Sequence, residues 1–260
     1  MDKVKLTSLY GDLHSFFTPS GFEVAIREQT GNDDGILSNV ALNKDAASVN
    51  AFIQNIIVGL SHIEGLPTTE DILDMRLGDK YCILIQSRIF SLGNILKFTY
   101  EWVPGATPTA YEEDLNFFVW DYRMPLPKPG DPDYFSDRIK NYPVSVDQVY
   151  LYLTTSKGKK LRYKYLDGTG EQYLLKLPDS HTNINSKLIA RGLEYQMDTT
   201  WITVSDFKLF SSREMGEIRD HLDSNDPQFD GTIVITDPQT NRTQYVSLIG
   251  LHDFFFQRGI

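Results

Sequence analysis

The chain has 260 residues, 41% hydrophobic and 23% charged, enough apolar material for one large domain or two smaller ones. Acidic residues outnumber basic ones 35 to 25, and the formal net charge of -10 argues against an electrostatic grip on nucleic acid, which needs clustered Lys and Arg. The single cysteine, Cys82, excludes an internal disulfide and a multi-cysteine zinc site, and its place in the apolar run YCILI reads as a buried small hydrophobe.

The first residues, MDKVKLTSLYGDLHSFF, lack the apolar centre of a secretion signal, and no apolar run approaches the length that crosses a bilayer. A turn at Gly21 then leads into a short alternating strand over Phe22 to Ile26. Ile36, Leu37, Val40 and Leu42 have helical spacing, and so do Ala46, Val49, Phe52, Ile53, Ile56, Ile57 and Leu60. Gly65 and Pro67 end that run. Thr68 followed by Asp71 predicts a capped helix to Met75. After a turn at Leu77-Gly78-Asp79, a helix is expected from Asp79 to Gly93. Leu96, Phe98, Tyr100 and Trp102 alternate as in a half-buried strand.

Between about Val103 and Val146 prolines alternate with the aromatics Phe117, Phe118, Trp120 and Tyr122. Proline removes donors, so this segment is expected to be irregular, and its aromatics predict an ordered excursion packed on the body or on a partner. Strands are then expected at Val149 to Leu153, Leu161 to Tyr165 and Tyr173 to Leu177, followed by a helix from Ser186 to Tyr195. Ser211 with Glu214 forms a capping-box pattern ahead of Met215, Ile218 and Leu222. TIVIT and TQYVSL flank the turn-prone DPQTNR as in a hairpin, and the chain closes on Phe254, Phe255 and Phe256.

Two stretches share one pattern. Ser20 to Asp34 aligned without a gap on Lys157 to Glu171 places Gly21 on Gly158, Val24 on Leu161, Ile26 on Tyr163, Gly31 on Gly168 and Asp34 on Glu171. A glycine turn, an alternating strand and a second glycine turn occur in each, the pattern of a scaffold built twice.

Several phrases in order resemble the baseplate hub and tail assembly proteins of contractile-tailed phages, the family of the T-even baseplate hub subunit. They are REQTGNDD after the first strand, the helical run AFIQNIIVGL, LGDKYCILIQSRIFSLG with Gly78, Asp79 and Arg88, REMGEIRDHLDSNDP with Ile218, Arg219 and Leu222, and the closing LHDFFF. The resemblance spans roughly Leu6 to Tyr100 and Leu161 to Phe256. It implies zinc-ribbon cysteines in the hairpins, yet EWVPGA and TDPQTN stand there, with Asp237 and Thr240 where cysteines belong. A structural zinc-ribbon site is built from thiolate and imidazole ligands, and these turns offer none, so no metal and no cofactor is expected.

Catalytic patterns are weaker. His14, His62, His181, His221 and His252 are scattered with no close ligand pair. GNDDG and DSNDPQFDG lack calcium-loop spacing. Ser180 beside His181 is adjacency in sequence, not a relay. Glu112-Glu113-Asp114 reads as a solvated charge run, although a hydrolase using Asp and Glu is an alternative, as is a small module that binds a host protein.

The expectation is an α+β chain of two similar halves, each a short-stranded antiparallel sheet or hairpin with helices, joined by a segment rich in proline and aromatics. The divisions are 1–103, 104–146 and 147–260. The expected role is non-enzymatic, a structural or chaperone component in assembly of a phage baseplate hub or tail. It acts in the host cytoplasm or in the virion, on other baseplate hub or tail proteins, as a possible oligomer within an assembly, without nucleic acid or membrane. The expected interface residues are Phe117, Phe118, Trp120, Tyr122, Phe254, Phe255 and Phe256, because large aromatics supply contact area at low entropic cost.

Overall fold

The structure, a computed structural model, describes residues 11–38, 46–118, 149–178, 181–225, 231–248 and 252–255. Strand β1 (Leu13–Phe17) pairs antiparallel with β2 (Glu23–Arg27), Leu13 opposite Arg27 and Phe17 opposite Glu23. In the turn between them the Thr18 amide donates to the Phe22 carbonyl and the Gly21 amide to the Thr18 carbonyl. Gly21 sits at φ 87°, a region in which a Cβ would crowd the backbone.

Helix α1 (Gly31–Leu37) begins earlier than the spacing of Ile36 and Leu42 predicts, because Thr30 and Asp33 form a reciprocal capping box. REQTGNDD is therefore a strand end, a cap and a helical turn. Helix α2 (Ala47–Ile56) stops before the expected Leu60, and β3 (Ile57–Leu60) pairs with β2. Ile56, Ile57 and Val58 are β-branched, so extended backbone suits them, and the open edge of β2 decides the outcome.

Helix α3 (Thr69–Asp74) carries the predicted Thr68–Asp71 capping box, and α4 (Leu77–Leu92) follows. Strands β4 (Ile95–Tyr100) and β5 (Thr109–Asp114) form a second hairpin that ends in a 3₁₀ turn, Leu115–Phe118. The irregular segment expected from Val103 onward thus contains a paired strand, since the residues between Thr109 and Phe118 hold no proline.

The second half repeats this order. Strands β6 (Tyr150–Thr154) and β7 (Lys160–Lys164) pair in the register of β1 and β2, Tyr150 opposite Lys164 and Thr154 opposite Lys160. The turn repeats its hydrogen bonds, Thr155 amide to Lys159 carbonyl and Gly158 amide to Thr155 carbonyl, with Gly158 at φ 79°. Helices α5 (Gly168–Leu175) and α6 (Ile184–Ala190), strands β8 (Glu194–Met197) and β9 (Thr200–Thr203), and a 3₁₀ turn, Phe207–Leu209, come next. Helix α7 (Ser212–Asn225), strands β10 (Thr232–Thr236) and β11 (Thr243–Ser247), and α8 (His252–Phe255) complete the order.

Strands β6, β7, β8 and β10 and helices α5 and α6 each begin at one constant chain distance from β1, β2, β3, β4, α1 and α2. The echo read from two glycines is thus an architectural repeat, with β9 added in the second copy.

Two readings of this half change. Tyr173 to Leu177, expected as a strand, lies mostly in α5, because the Asp167 side chain accepts the Gly170 amide and caps a helix there. The helix expected to reach Tyr195 ends at Ala190. Gly192, at φ 60°, turns the chain into β8, which pairs with β7.

The apolar side chains form two clusters. The first packs Phe16, Val24, Ile26, Phe52, Ile53, Ile83, Leu84, Ile85, Leu96, Phe98, Leu115 and Phe118 together with Ile233, Ile235, Leu248 and Phe254. The second packs Leu151, Leu161, Tyr163, Leu188, Leu193, Ile218 and Leu222. The last hairpin and α8 therefore complete the core of the first half, so core membership does not follow the division at 147–260. Cys82 is buried in the first cluster, as its apolar run predicts.

The halves also meet through buried Lys80 on α4, which donates to Glu171 on α5 at 2.6 Å. The Leu77 amide donates to the Leu166 carbonyl at 2.9 Å. Gly168 at the start of α5 is pressed so close to Leu73 and Lys80 that a Cβ there meets both at 3.0 Å.

The repeated turns give a direct test. Gly21→Ala and Gly158→Ala are each expected to lower unfolding free energy by about 1–2 kcal/mol, the cost of forcing a Cβ into left-handed backbone. Chemical denaturation of the two variants checks this, and an unchanged midpoint in either removes the argument for that turn.

Candidate functional site

Each long helix carries a buried acid at its third residue. Asp79 on α4, 1% exposed, accepts the Ser20 amide at 2.9 Å and the Ser20 hydroxyl at 2.5 Å. Arg76 donates to the same hydroxyl at 3.1 Å and lies over the Tyr165 ring at 4.4 Å. Burial raises the Asp79 pKa, against the pull of the Ser20 bonds and the Arg76 charge.

Glu214 on α7, 0% exposed, accepts from the Thr155 hydroxyl at 3.2 Å and from Lys159. It also closes the predicted capping box with Ser211. The Ser211 amide foremost, with its hydroxyl and Lys159, holds the Glu214 pKa down at about 2. These carboxylates are held by the hairpin turns of their own halves and fasten them to the helices.

A cavity of about 400 Å³ opens beside the first of them, lined by Ser20, Phe22, His62, Asp71, Asp74, Arg76, Asp79, Lys164, Tyr165 and Asp167 among others. Asp71 is committed to the Thr68 cap and Asp167 to the Gly170 amide. A second cavity, about 610 Å³, lies where α4 meets α5, α6 and α7. Its walls are Leu77, Tyr81, Leu166, Leu174, Ile184 and Leu222, with Thr182, Asn183, Lys187, Arg191, Arg219 and Asp223.

The most distinctive surface is one face of the four-stranded sheet β6-β7-β8-β9. Alternation sends Leu151, Leu161 and Tyr163 inward, and leaves Tyr150, Tyr152 and Arg162 on the other side. The Arg162 guanidinium sits 4.2 Å from the Tyr150 ring and 4.5 Å from the Trp201 ring, a cation held between two aromatic faces. Glu194, directly across from it on β8, accepts its Nε hydrogen at 2.5 Å. Tyr152 meets Trp201 edge to face at 6.0 Å and is 60% exposed.

The expected interface residues are dispersed. Phe117, on the 3₁₀ turn after β5, is 40% exposed. Phe118 and Phe254 are buried core residues, so neither offers area to a partner; β4, β5 and α8 fold them inward. Phe255 is half-buried against the rings of Phe52 and Phe254, and its carbonyl accepts from Gln29. Trp120, Tyr122 and Phe256 lie outside the described residues, as does Ser180 of the Ser-His pair.

Of the charge run, Glu112 pairs with Lys97 at 3.0 Å and Asp114 accepts from Asn94. His14 bonds Gln86, and His221 bonds the Tyr163 hydroxyl. Among the described residues no three His, Cys, Asp or Glu side chains gather as a metal site, and no helix is long and apolar enough to cross a membrane.

Sequence reading passed over the aromatic-arginine face, although YLYLT and KLRYK carry its signal. Aromatic or basic residues alternate there with leucines and one buried tyrosine, marking both faces of a sheet as occupied. Comparison with family models, curated proteins and solved structures finds no match to this chain.

Glu214 provides a pH test. Its pKa lies below the ordinary 4.5, so the stability it contributes is fully present above 4.5 and is lost as pH falls towards about 2. Wild type is expected to melt above Glu214→Gln at neutral pH and to converge with it across that window in calorimetric scans. A gap that stays constant with pH shows that the ionised carboxylate is not what fastens the turn.

Proposed function

We propose that this chain is a non-enzymatic docking component in the assembly of the baseplate hub or tail of a contractile-tailed phage, and that it recognises its partner through the aromatic-arginine face of β6, β7, β8 and β9. The carrying observation is Arg162 clasped by Tyr150 and Trp201 on an open sheet face. Tyr, Trp and Arg are the residues that most often dominate binding energy at protein interfaces. Here they are locked by one another before any partner arrives, so little rotamer entropy is left to lose on association.

The repeat supports the reading. At the matching positions the first half has Leu13, Ser15 and Ala25 in place of Tyr150, Tyr152 and Arg162. A scaffold used twice keeps its framework glycines and buried acids, whereas this face occurs in one copy alone. The exchange at these three outward positions does nothing for the core and fits recognition.

The phage assignment draws on the sequence phrases. LGDKYCILIQSRIFSLG is the long helix α4 and REMGEIRDHLDSNDP falls on α7, so the resemblance runs through the two helices that organise the halves.

Size-exclusion chromatography with purified hub and tail-tube proteins tests the proposal. Tyr152→Ala and Trp201→Ala are expected to weaken the complex tenfold or more, about 1.4 kcal/mol or above, while the melting temperature stays near wild type. Phe118→Ala is expected to cost about 3–5 kcal/mol of stability instead, as a truncated core aromatic. Elution of the wild-type chain as a lone monomer beside every such component defeats the proposal, and so does a complex indifferent to both face substitutions.

A further inference from the structure

We propose that a second copy of this chain pairs with it along β11, strand to antiparallel strand, about a two-fold axis at Tyr245. The proposal rests on no part of the docking face, which shares no residue with this hairpin.

The first argument is an edge without protection. In the hairpin of β10 and β11 the Leu248 amide donates to the Gly231 carbonyl and the Asp237 amide to the Arg242 carbonyl. Antiparallel pairs alternate between bonded and unbonded. Gln244 and Val246 therefore turn their backbone groups to β10, while those of Thr243, Tyr245 and Ser247 point away from it. Among the described residues no strand pairs with that side of β11, and these three residues are exposed. The far edge of β10 differs. There the Tyr111 hydroxyl donates to the Thr236 carbonyl at 2.9 Å, and Thr232 also has a further partner. Open edges in soluble proteins are blunted by lysine, proline or a bulge. Neither TIVIT nor TQYVSL contains a charge or a proline, and their register runs without a bulge.

The second argument selects a copy of the same chain. A net charge of -10 makes two copies repel, and this uncharged edge lets them touch without setting like charges against each other. Antiparallel pairing about Tyr245 places Tyr245 opposite its own counterpart and Thr243 opposite Ser247 of the second copy, so the edge is its own complement. The outward backbone groups then meet in bonded pairs, and facing aromatics and facing hydroxyls both stabilise a sheet. Tyr245 and Val234 face each other across the hairpin, 71% and 55% exposed, and the second tyrosine extends that apolar patch. Arg242 of each copy falls at opposite ends of the joined strands. Because the far edge of β10 is engaged, pairing closes at two copies.

Sedimentation velocity of the full chain, from low to high micromolar concentration, tests this. A monomer that converts to a dimer is expected, one that dissociates on dilution, since a contact of one strand edge falls below the ~1,200 Å² of a stable interface. Tyr245→Lys is expected to weaken the dimer about tenfold or more, because it sets like charges directly opposite each other. Its side chain is exposed, and an unchanged circular dichroism spectrum verifies the fold. Thr243→Lys/Ser247→Glu is expected to dimerise at least as well as wild type, because the antiparallel register gives each lysine a glutamate. In hydrogen exchange the amides of Tyr245 and Ser247 are expected to slow as the dimer forms, while those of Gln244 and Val246 are slow at every concentration. Tyr152→Ala and Trp201→Ala are expected to dimerise like wild type, which separates this edge from the docking face.

A chain that stays monomeric throughout overturns the proposal, even where a hub protein protects the Tyr245 amide, because the edge then takes a foreign strand. A dimer equally strong in Tyr245→Lys overturns it too, as does one abolished by Thr243→Lys/Ser247→Glu or by either docking-face substitution.

Discussion

Asp79 and Glu214 stand at the third residue of α4 and α7, and each sets a carboxylate, sealed from water, against the hairpin turn of its own half. A buried acid is costly unless donors surround it. The first turn of a helix supplies unpaired amides and a favourable dipole, and a tight hairpin turn supplies more. Neither the turn nor the helix end could be covered so closely without the other. The acid fixes where the hairpin lies on the long helix, and from that follow which strand faces reach the core and which edge remains for the third strand of each sheet.

Features settled by a few neighbouring residues were legible in the sequence. The Gly21 and Gly158 turns, the caps at Thr68 and Ser211, the long helix α4 and the closing hairpin all depend on local chemistry. What escaped was decided by distant contacts. Ile57 to Leu60 continues a helical pattern until β2 provides a partner. Tyr173 to Leu177 alternates well enough for a strand, but the Asp167 cap and the packing of α5 against Leu73 and Lys80 prevail. The role of Asp79 was hidden too, because its donor, Ser20, lies far back in the chain.

Two of the expected interface aromatics are hidden for a related reason: Phe118 and Phe254 fill the first core. The face that offers aromatics to solvent is assembled from three strands, and no short window of sequence contains it. Tyr150, Arg162 and Trp201 become neighbours only when β7 is flanked by β6 and β8 and the chain returns through β9. That last strand has no counterpart in the first half, and it brings Trp201. The added strand thus supplies one wall of the face, and the differences on β6 and β7 supply the rest.

The exchange of the last hairpin into the first core bears on the order of events at the ribosome. When synthesis has reached Leu222, every buried member of the second cluster has been made, whereas the first still lacks Ile233, Ile235, Leu248 and Phe254. The half translated first is finished last. Until then its sheet and long helix present an uncovered apolar surface, so a premature stop near the C-terminus injures the opposite end of the molecule. The closing residues act as a latch on the whole chain, releasing a completed first half only after the second has been built.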